Sequence, residues 1–469
     1  MRAGPSEWPP EATRMRARDL TAAGGARRGK SVREAFLVCT SRREGESISV
    51  CPAWDPVLIS PDCHLIWIVF LNTVNSPLSI NCRKAFLPSM GFTKENAMIG
   101  IIGMGDMGKI VEAGVIDKVV AEYGPSTKVG AIVGGQTSCK APELSAFDKH
   151  LPSDVEIVSC HSLHGPKVNP KGQPLVLIKH RASDESLRFV ETVLSCFGSE
   201  YVYLTGELHD RITADTQAVT HAAFLSMGTA WQANKQFPWE ISRWVGGIEN
   251  VKINITLRIY ANKWHVYAGL AILNPAAKTQ IRQYAESVTD LYKLMIEGRR
   301  DELKRRVRDA GAAVFRAGTE GQDLLLKDEV LDRFSLSNRP REETPPNNHL
   351  SLLAIVDCWS KLGIVPYDHM ICSTPLFRLW LGVTEYLFRN PELLDNAIDT
   401  AIDDKTFRSD DLEFTFAARA WSDCVSFGDF ESYRDRFERI QKYFAPRFPE
   451  ASKLGNEMMK TILEKTGHS

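Results

Sequence analysis

The feature that most constrains the fold is a glycine-rich turn directly after a short apolar run. Residues 98–104 read MIGIIGM and lead into a Gly103-x-Gly105-x-x-Gly108 turn. The first glycine permits a tight turn, the second lets the backbone approach a pyrophosphate, and the third lets the next helix pack closely. An ordinary glycine-rich turn has the same spacing. As a cofactor site, the turn would comprise Gly103, Met104, Gly105, Asp106, Met107 and Gly108.

A regular alternation of strand and helix patterns follows this turn. Strand-like runs lie at 128–135, 156–161, 174–180 and 201–205, and helical patterns lie at 142–150 and 184–196. Such alternation predicts an α/β domain with a mostly parallel sheet. Beyond Gly206 the spacing is helical, except that 250–268 is rich in residues that favour strands. We therefore predict a Rossmann-like domain at 98–205 and a mostly helical domain at 206–469.

The segment before this domain has a different character. Residues 1–97 begin with a basic stretch rich in Pro, Gly and Ala, and they hold one strand-like run at 64–71. We expect the segment to be disordered or irregular. The cofactor domain itself is short, because the fingerprint expects a second strand with a charged end about 20 residues after the turn. Here the helix-like stretch 109–123 leads straight to the strand 128–135, which ends in Gly-Gly-Gln.

Composition excludes several function classes. Lysine and arginine total 57 against 58 acidic residues, a net charge of −1, which argues against nucleic-acid binding through bulk electrostatics. The apolar run 65–71 is too short to span a membrane. The ten cysteines form no CxxC pair, so we expect no metal site and free thiols in a reducing cytoplasm.

Two polar clusters follow predicted strands, where a parallel sheet binds its ligands. Ser138 and Lys140 come after the strand 128–135 and could orient a substrate or a catalytic base. Ser138 could equally cap a helix. His161 and His164 follow the strand 156–161, and an imidazole titrates near neutrality, which suits proton acceptance from a hydroxyl. A structural, hydrogen-bonded histidine is the alternative for each.

Two further candidates lie in the helical part. Asp215, Gln217 and His221 share one predicted helix, with Gln217 and His221 on the same face. A buried polar patch between helices would give the same pattern. Arg378 falls one turn after Pro375, a residue suited to the first turn of a helix, and could clamp a carboxylate at two points. A surface ion pair is the alternative.

These stretches resemble the prephenate dehydrogenase family in its fungal, NADP-dependent form. The resemblance runs from about Met98 to Lys465 and includes, in the family's order, IGIIGMGDMG, YGPSTKVGAIVGGQTSCK, HSLHGPKVN, HDRITADTQAVTHAAFLSMG and YDHMICSTPLFR. It implies the oxidative decarboxylation of prephenate to 4-hydroxyphenylpyruvate with hydride transfer to NADP, in tyrosine biosynthesis. It also implies a homodimer formed through the helical domain.

The resemblance assigns roles to single residues. His161 matches the histidine that takes the hydrogen bond or proton of the 4-hydroxyl, and Ser138 matches a serine that bridges this histidine, cofactor and substrate. His221 matches an active-site histidine, and Arg378 matches an arginine of the carboxylate-binding region. Lys140, beside Ser138, is expected to favour an anionic substrate. The glycines of the turn match the pyrophosphate site.

Two alternatives stay open from the sequence. One is an arogenate dehydrogenase. The other is a catalytically impaired binding or dimerisation variant, because family members place several strands directly after the glycine-rich turn and this chain does not. The missing piece would contain the residues that read the ribose and its 2′-phosphate, so the preference for NADP over NAD is implied by the family alone.

Overall fold

The structure is a computed structural model that describes residues 64–69, 97–101, 113–163, 170–240, 246–315, 347–372, 374–406 and 408–465. One six-stranded sheet has the order β2-β1-β3-β4-β5-β6. Its neighbouring strands pair parallel except β4 with β5, which pair antiparallel. The strands are β1 (His64–Val69), β2 (Ala97–Ile101), β3 (Ile132–Gly135), β4 (Glu156–Ser162), β5 (Pro174–Arg181) and β6 (Glu200–Tyr203).

Helices cover both faces of the sheet. The first three are α1 (Ala113–Tyr123), α2 (Lys140–His150) and α3 (Asp184–Leu194). Apolar residues of α1 and α2 pack with Ile157 and Val176 on one face. Phe189 and Val190 of α3 pack with alternate residues of β4 and β5 on the other. The predicted mostly parallel α/β domain is confirmed, and its strands lie within a few residues of the expected runs.

The strand-like run of the N-terminal segment lies inside this sheet. Residues 64–69 form β1, which pairs on one side with β2 and on the other with β3. The sequence HLIWIV is β-branched and aromatic, as a strand prefers. The prediction that 1–97 is irregular is therefore wrong for these six positions, and apart from Ala97 the rest of the segment lies outside the described residues. The connection from β2 to β3 passes across β1, so strand order reverses between β1 and β3.

The second part of the chain is helical, as predicted. It packs around one large core that includes Phe224, Tyr260, Trp359, Trp380 and Trp421. Its helices are α4 (Gly206–Thr213), α5 (Val219–Ala233), α6 (Ile248–Tyr260), α7 (Trp264–Leu273), α8 (Pro275–Ile296), α9 (Arg300–Val314), α10 (Leu350–Leu362), α11 (Pro375–Arg389), α12 (Pro391–Asp403), α13 (Arg408–Phe427), α14 (Phe430–Phe444) and α15 (Phe448–Lys465).

Two local features differ from the simplest expectation. The stretch 250–268, ambiguous in sequence, is helical and forms most of α6 and α7. Helix α6 is buried around nearly its whole circumference, which explains an apolar, β-branched content without an amphipathic pattern. Between α4 and α5 the chain makes a π-helical segment, Ala214–Ala218, where one long helix is predicted. π-Bulges of this kind occur frequently at functional sites.

Candidate active site

The loop after β3 is held from below by a buried lysine. Lys140, the first residue of α2, has no exposed surface. Its Nζ lies 3.0 Å from Glu143 Oε1, 2.9 Å from Ser159 Oγ and 2.7 Å from the Cys160 carbonyl oxygen. An ammonium has three N–H donors, so these acceptors satisfy it completely. We call Lys140, Glu143 and Ser159 the buried lysine cluster.

Glu143 connects this cluster to the loop that carries Ser138. Its Oε2 accepts hydrogen bonds from the Thr137 backbone N–H at 3.1 Å and the Thr137 hydroxyl at 2.6 Å. Gly135 leaves room for this carboxylate, because a Cβ there would lie 2.2 Å from Glu143 Oε2. The loop 136–139 is thereby fixed at the carboxyl end of β3.

The position of Lys140 corrects its predicted role. A fully buried ammonium with three acceptors has no donor left for an anionic substrate. The expected direct contact with substrate therefore does not fit the structure. Lys140 instead ties α2 to β4, beneath the half-buried Ser138.

His161 lies on the same face of β4 as Ser159, because side chains two residues apart along a strand point the same way. Its ring is 6% exposed. The Nδ1 atom lies 2.8 Å from Nε2 of His209, which comes from α4. The two rings meet edge to face with centroids 5.0 Å apart. The side chain thus stands where the sheet meets the helical part of the chain.

Asp210, next to His209, caps the helix that follows the loop. Its Oδ1 accepts from the Lys140 backbone N–H and its Oδ2 from the Ala141 backbone N–H, both at 2.7 Å. The N-cap position of α2 is Cys139, which makes no side-chain capping bond. The alternative that Ser138 caps this helix is therefore wrong. A carboxylate at this end also opposes the positive pole of the helix dipole.

The Asp215, Gln217 and His221 cluster lies at the π-helical segment. Among the described residues, Gln217 Nε2 and His221 Nδ1 are buried without a hydrogen-bond partner. Burial lowers the pKa of His221 to about 4 and raises the pKa of Asp215 to about 7. His221 is therefore neutral at pH 7. Such orphaned buried polar atoms are costly unless something else pairs with them, which a ligand would do.

Comparisons with known proteins give the family of this arrangement. The 6-phosphogluconate dehydrogenase C-terminal domain family, in the form found in tyrosine-biosynthesis dehydrogenases, matches residues 218–464. The chain is 64% identical over 356 residues to the probable NADP(+)-dependent prephenate dehydrogenase of Schizosaccharomyces pombe, covering 76% of this chain and 83% of that one. The chain belongs to the prephenate dehydrogenase family.

Two more similarities accompany this family membership. The NADP(+)-dependent prephenate dehydrogenase of Saccharomyces cerevisiae is 59% identical over 361 residues, which cover 75% of this chain and 79% of that one. A solved structure of prephenate dehydrogenase from A. aeolicus, in complex with hydroxyphenyl propionate and NAD+, covers 52% of this chain and 95% of that one. Its sequence identity is 15% and its TM-score is 0.36, too low to support an argument.

The remaining predicted residues of this family member are placed unevenly. Arg378 lies in the first turns of α11, which begins at Pro375 as expected. Its side chain is half-buried, and burial lowers the pKa of its guanidinium. The glycine-rich turn from Gly103 to Gly108, together with His164, lies outside the described residues. No group of three His, Cys, Asp or Glu side chains suited to a metal ion occurs in the described part of the chain.

Sequence reasoning missed His209 and Asp210. Both lie in α4, the first helix of the helical part, shortly after β6 ends, and His209 contacts a residue 48 positions away. Helical periodicity carries no information on such a contact. The available signal was an imidazole directly followed by a carboxylate, HD, in the first helix after a predicted strand.

Proposed function

We propose that this chain catalyses the oxidative decarboxylation of prephenate to 4-hydroxyphenylpyruvate with hydride transfer to NADP+, a step of tyrosine biosynthesis. The observation that carries the proposal is the His161 imidazole, held by a second histidine beside the loop that follows β3. A base at that edge suits removal of a proton from a ring hydroxyl. The identity to NADP(+)-dependent relatives supports the substrate and the cofactor.

The described backbone fits a dinucleotide near this base. β2 is parallel to β1, which is parallel to β3, so β2 and β3 end at the same edge of the sheet. Strand order reverses beside β3, the position at which open parallel sheets bind dinucleotides. Gly103, Gly105 and Gly108 follow β2 and would hold the pyrophosphate there. NADP+, when bound, supplies the hydride acceptor.

The chain's own residues bind, orient and deprotonate. His161 accepts the proton of the 4-hydroxyl while hydride leaves C4, and loss of CO2 makes the ring aromatic. Ser138 bridges His161, substrate and cofactor, and Arg378 pairs with a substrate carboxylate. His221, neutral because burial lowers its pKa to about 4, offers a hydrogen bond rather than a charge. Rate enhancement comes from orientation and fixed dipoles rather than from a covalent intermediate.

Steady-state formation of NADPH with purified protein tests the proposal. Prephenate with NADP+ is expected to be turned over faster than prephenate with NAD+ or arogenate with either cofactor. His161→Asn is expected to lower kcat by about 10²–10⁴-fold, the usual contribution of a general base, without loss of NADP+ binding. Preference for arogenate would favour the arogenate reading, and a folded protein without turnover would favour the impaired variant.

The assembly and location are also proposals. We expect a homodimer through the helical part, as the family resemblance implies, and light scattering should then give twice the chain mass of 52.5 kDa. A cytoplasmic location is supported by the free thiols of the described residues Cys139, Cys160, Cys196, Cys358 and Cys424. Separately, the described part of the chain contains no helix with both the length and the apolar content needed to cross a membrane.

A further inference from the structure

Three side chains form a continuous chain of hydrogen bonds that crosses from α4 to β4. Asp210 Oδ1 lies 2.9 Å from His209 Nδ1, and His209 Nε2 lies 2.8 Å from His161 Nδ1. All three are buried, with 4%, 1% and 6% of their surface exposed. Hydrogen bonds in so dry a setting are stronger than in water and polarise one another.

The proton positions along this chain follow from its carboxylate end. Asp210 already accepts two backbone N–H bonds from the start of α2, so its oxygens act as acceptors. His209 Nδ1 must then donate to Asp210. Burial lowers the pKa of His209, so the ring is neutral near pH 7 and its Nε2 carries a lone pair. Nε2 can only accept, and the donor must be His161 Nδ1–H.

This order fixes the state of the catalytic imidazole. With its proton on Nδ1, neutral His161 carries its lone pair on Nε2, the nitrogen remote from the relay. We infer that His209 and Asp210 are positioning residues that hold His161 as the Nδ1–H tautomer, with Nε2 directed to the substrate hydroxyl. The inference rests on the proposed function, since it assigns how that site prepares its base.

Asp210 links this task to the loop that carries Ser138. The same carboxylate that orients His209 also caps α2, whose first residue directly follows the loop 136–139. Its backbone carbonyl in turn accepts from Asn274 Nδ2 at 2.7 Å, which fixes it to the start of α8. One side chain thus orients both the serine loop and the histidine. A base and its neighbour misplaced by even 1 Å lose much of their effect.

Two substitutions of His209 separate the relay from simple packing. The amide of Gln reaches the position of Nε2, so His209→Gln keeps an acceptor for His161 and loses the bond to Asp210. The amide of Asn reaches the position of Nδ1, so His209→Asn keeps the bond to Asp210 and loses the acceptor. Each variant loses one hydrogen bond and keeps a polar, smaller side chain.

The expected results differ sharply between the two variants. His209→Gln should keep kcat within about 10-fold of the wild type, whereas His209→Asn should lose about 10²-fold or more, on the scale of an impaired general base. KM for NADP+ should change in neither. Equal losses of kcat in the two variants would overturn the relay, because a purely structural role does not distinguish them. Thermal unfolding of both variants checks that each is folded.

A second readout does not depend on turnover. The ring ¹⁵N resonances of His161, assigned by their loss in His161→Asn, report which nitrogen carries the proton. We expect a protonated Nδ1 and an unprotonated Nε2 in the wild type and in His209→Gln, and a mixed or reversed state in His209→Asn. An Nε2–H tautomer in the wild type would refute the inference. If the wild type has this tautomer yet does not oxidise prephenate, the proposed function fails and the relay stands.

Discussion

At the scale of single residues, the buried lysine cluster is the sharpest constraint on the site. An ammonium and a carboxylate are both removed from water between α2 and β4, and their side chains are 0% and 1% exposed. Desolvation of two such ions is costly, and only close pairing with full hydrogen bonding offsets it. The Ser159 hydroxyl and the Cys160 carbonyl complete that pairing. The cluster therefore tolerates loss of neither partner.

Replacement of Lys140 should reveal this dependence. In Lys140→Met the stem is replaced by a chain of similar volume, but Glu143 is left as a buried carboxylate without its counter-ion. We expect the free energy of unfolding to fall by about 3–5 kcal/mol, the usual cost of breaking a buried pair by removing one ion. Urea unfolding followed by circular dichroism measures the change.

The same helix offers a matched control. Lys149, in the last turn of α2, pairs with Asp117 at the surface, where the two side chains are 62% and 42% exposed. Surface pairs contribute about 0–1 kcal/mol, so Lys149→Met should leave the unfolding free energy within that range. A Lys140→Met variant as stable as the Lys149→Met variant would show that the buried pair does not stabilise the fold.

At the scale of elements, α5 and α6 are packed at a contact that only glycine permits. A Cβ at Gly228 of α5 would lie 2.3 Å from Cε2 of Tyr260 and 3.1 Å from Cγ2 of Thr256, both on α6. Tyr260 is fully buried, and its hydroxyl donates to the Leu225 carbonyl oxygen at 2.8 Å. The ring therefore has little freedom to move aside.

Two glycine-to-alanine substitutions should have opposite signs. Gly228→Ala is expected to lower the unfolding free energy by about 1–3 kcal/mol, because overpacking a close-packed contact forces a backbone shift. Gly269→Ala, in α7, meets nothing within 4 Å of its new Cβ, and should raise it by about 0.5–1 kcal/mol through helix propensity. Stabilisation by Gly228→Ala would mean that α5 and α6 can separate at this contact without cost.

The elements themselves were largely predictable, because hydrophobic periodicity and glycine positions are local signals. β4 and β5 follow from their apolar runs, and α11 from Pro375 at its first turn. The nature of α6 was not, because a helix buried on all sides loses the amphipathic pattern that identifies it. The π-helical segment Ala214–Ala218 likewise has no counterpart in the periodicity.

The site was predictable in part, for the same reason. His161 and Ser138 stand at strand ends, which a sequence pattern can mark. The capping of α2 by Asp210 joins residues about 70 positions apart, and only the tertiary fold brings them together. The same fold buries Lys140, whose position beside Ser138 in sequence favoured an exposed role. Neighbours in sequence predicted which residues meet, but not which of them face solvent.

At the scale of the whole molecule, buried titratable groups make stability depend on pH. Burial raises the pKa of Asp215 and of Asp411 from an ordinary 3.8 to about 7. Between pH 4 and pH 7 the unfolded chain has released these protons and the folded chain has kept them. The unfolding free energy contributed by each group therefore falls as pH rises through this window. Buried His221 acts oppositely below pH 6.5, because its folded pKa is lowered to about 4.

The contribution of Asp215 can be isolated with Asp215→Asn. An asparagine can still accept the hydrogen bond that Gln280 Nε2 donates to Oδ1, but it has no charge to bury. The variant should match the wild type near pH 4 and become progressively more stable than it up to about pH 8. At about 1.4 kcal/mol per pKa unit, the gain approaches about 4 kcal/mol. Asp148→Asn, at an exposed carboxylate, is the control. Urea unfolding of the three proteins at pH 4, 6 and 8 measures the difference, and a gain that did not grow with pH would show that Asp215 is ionised in the folded protein throughout.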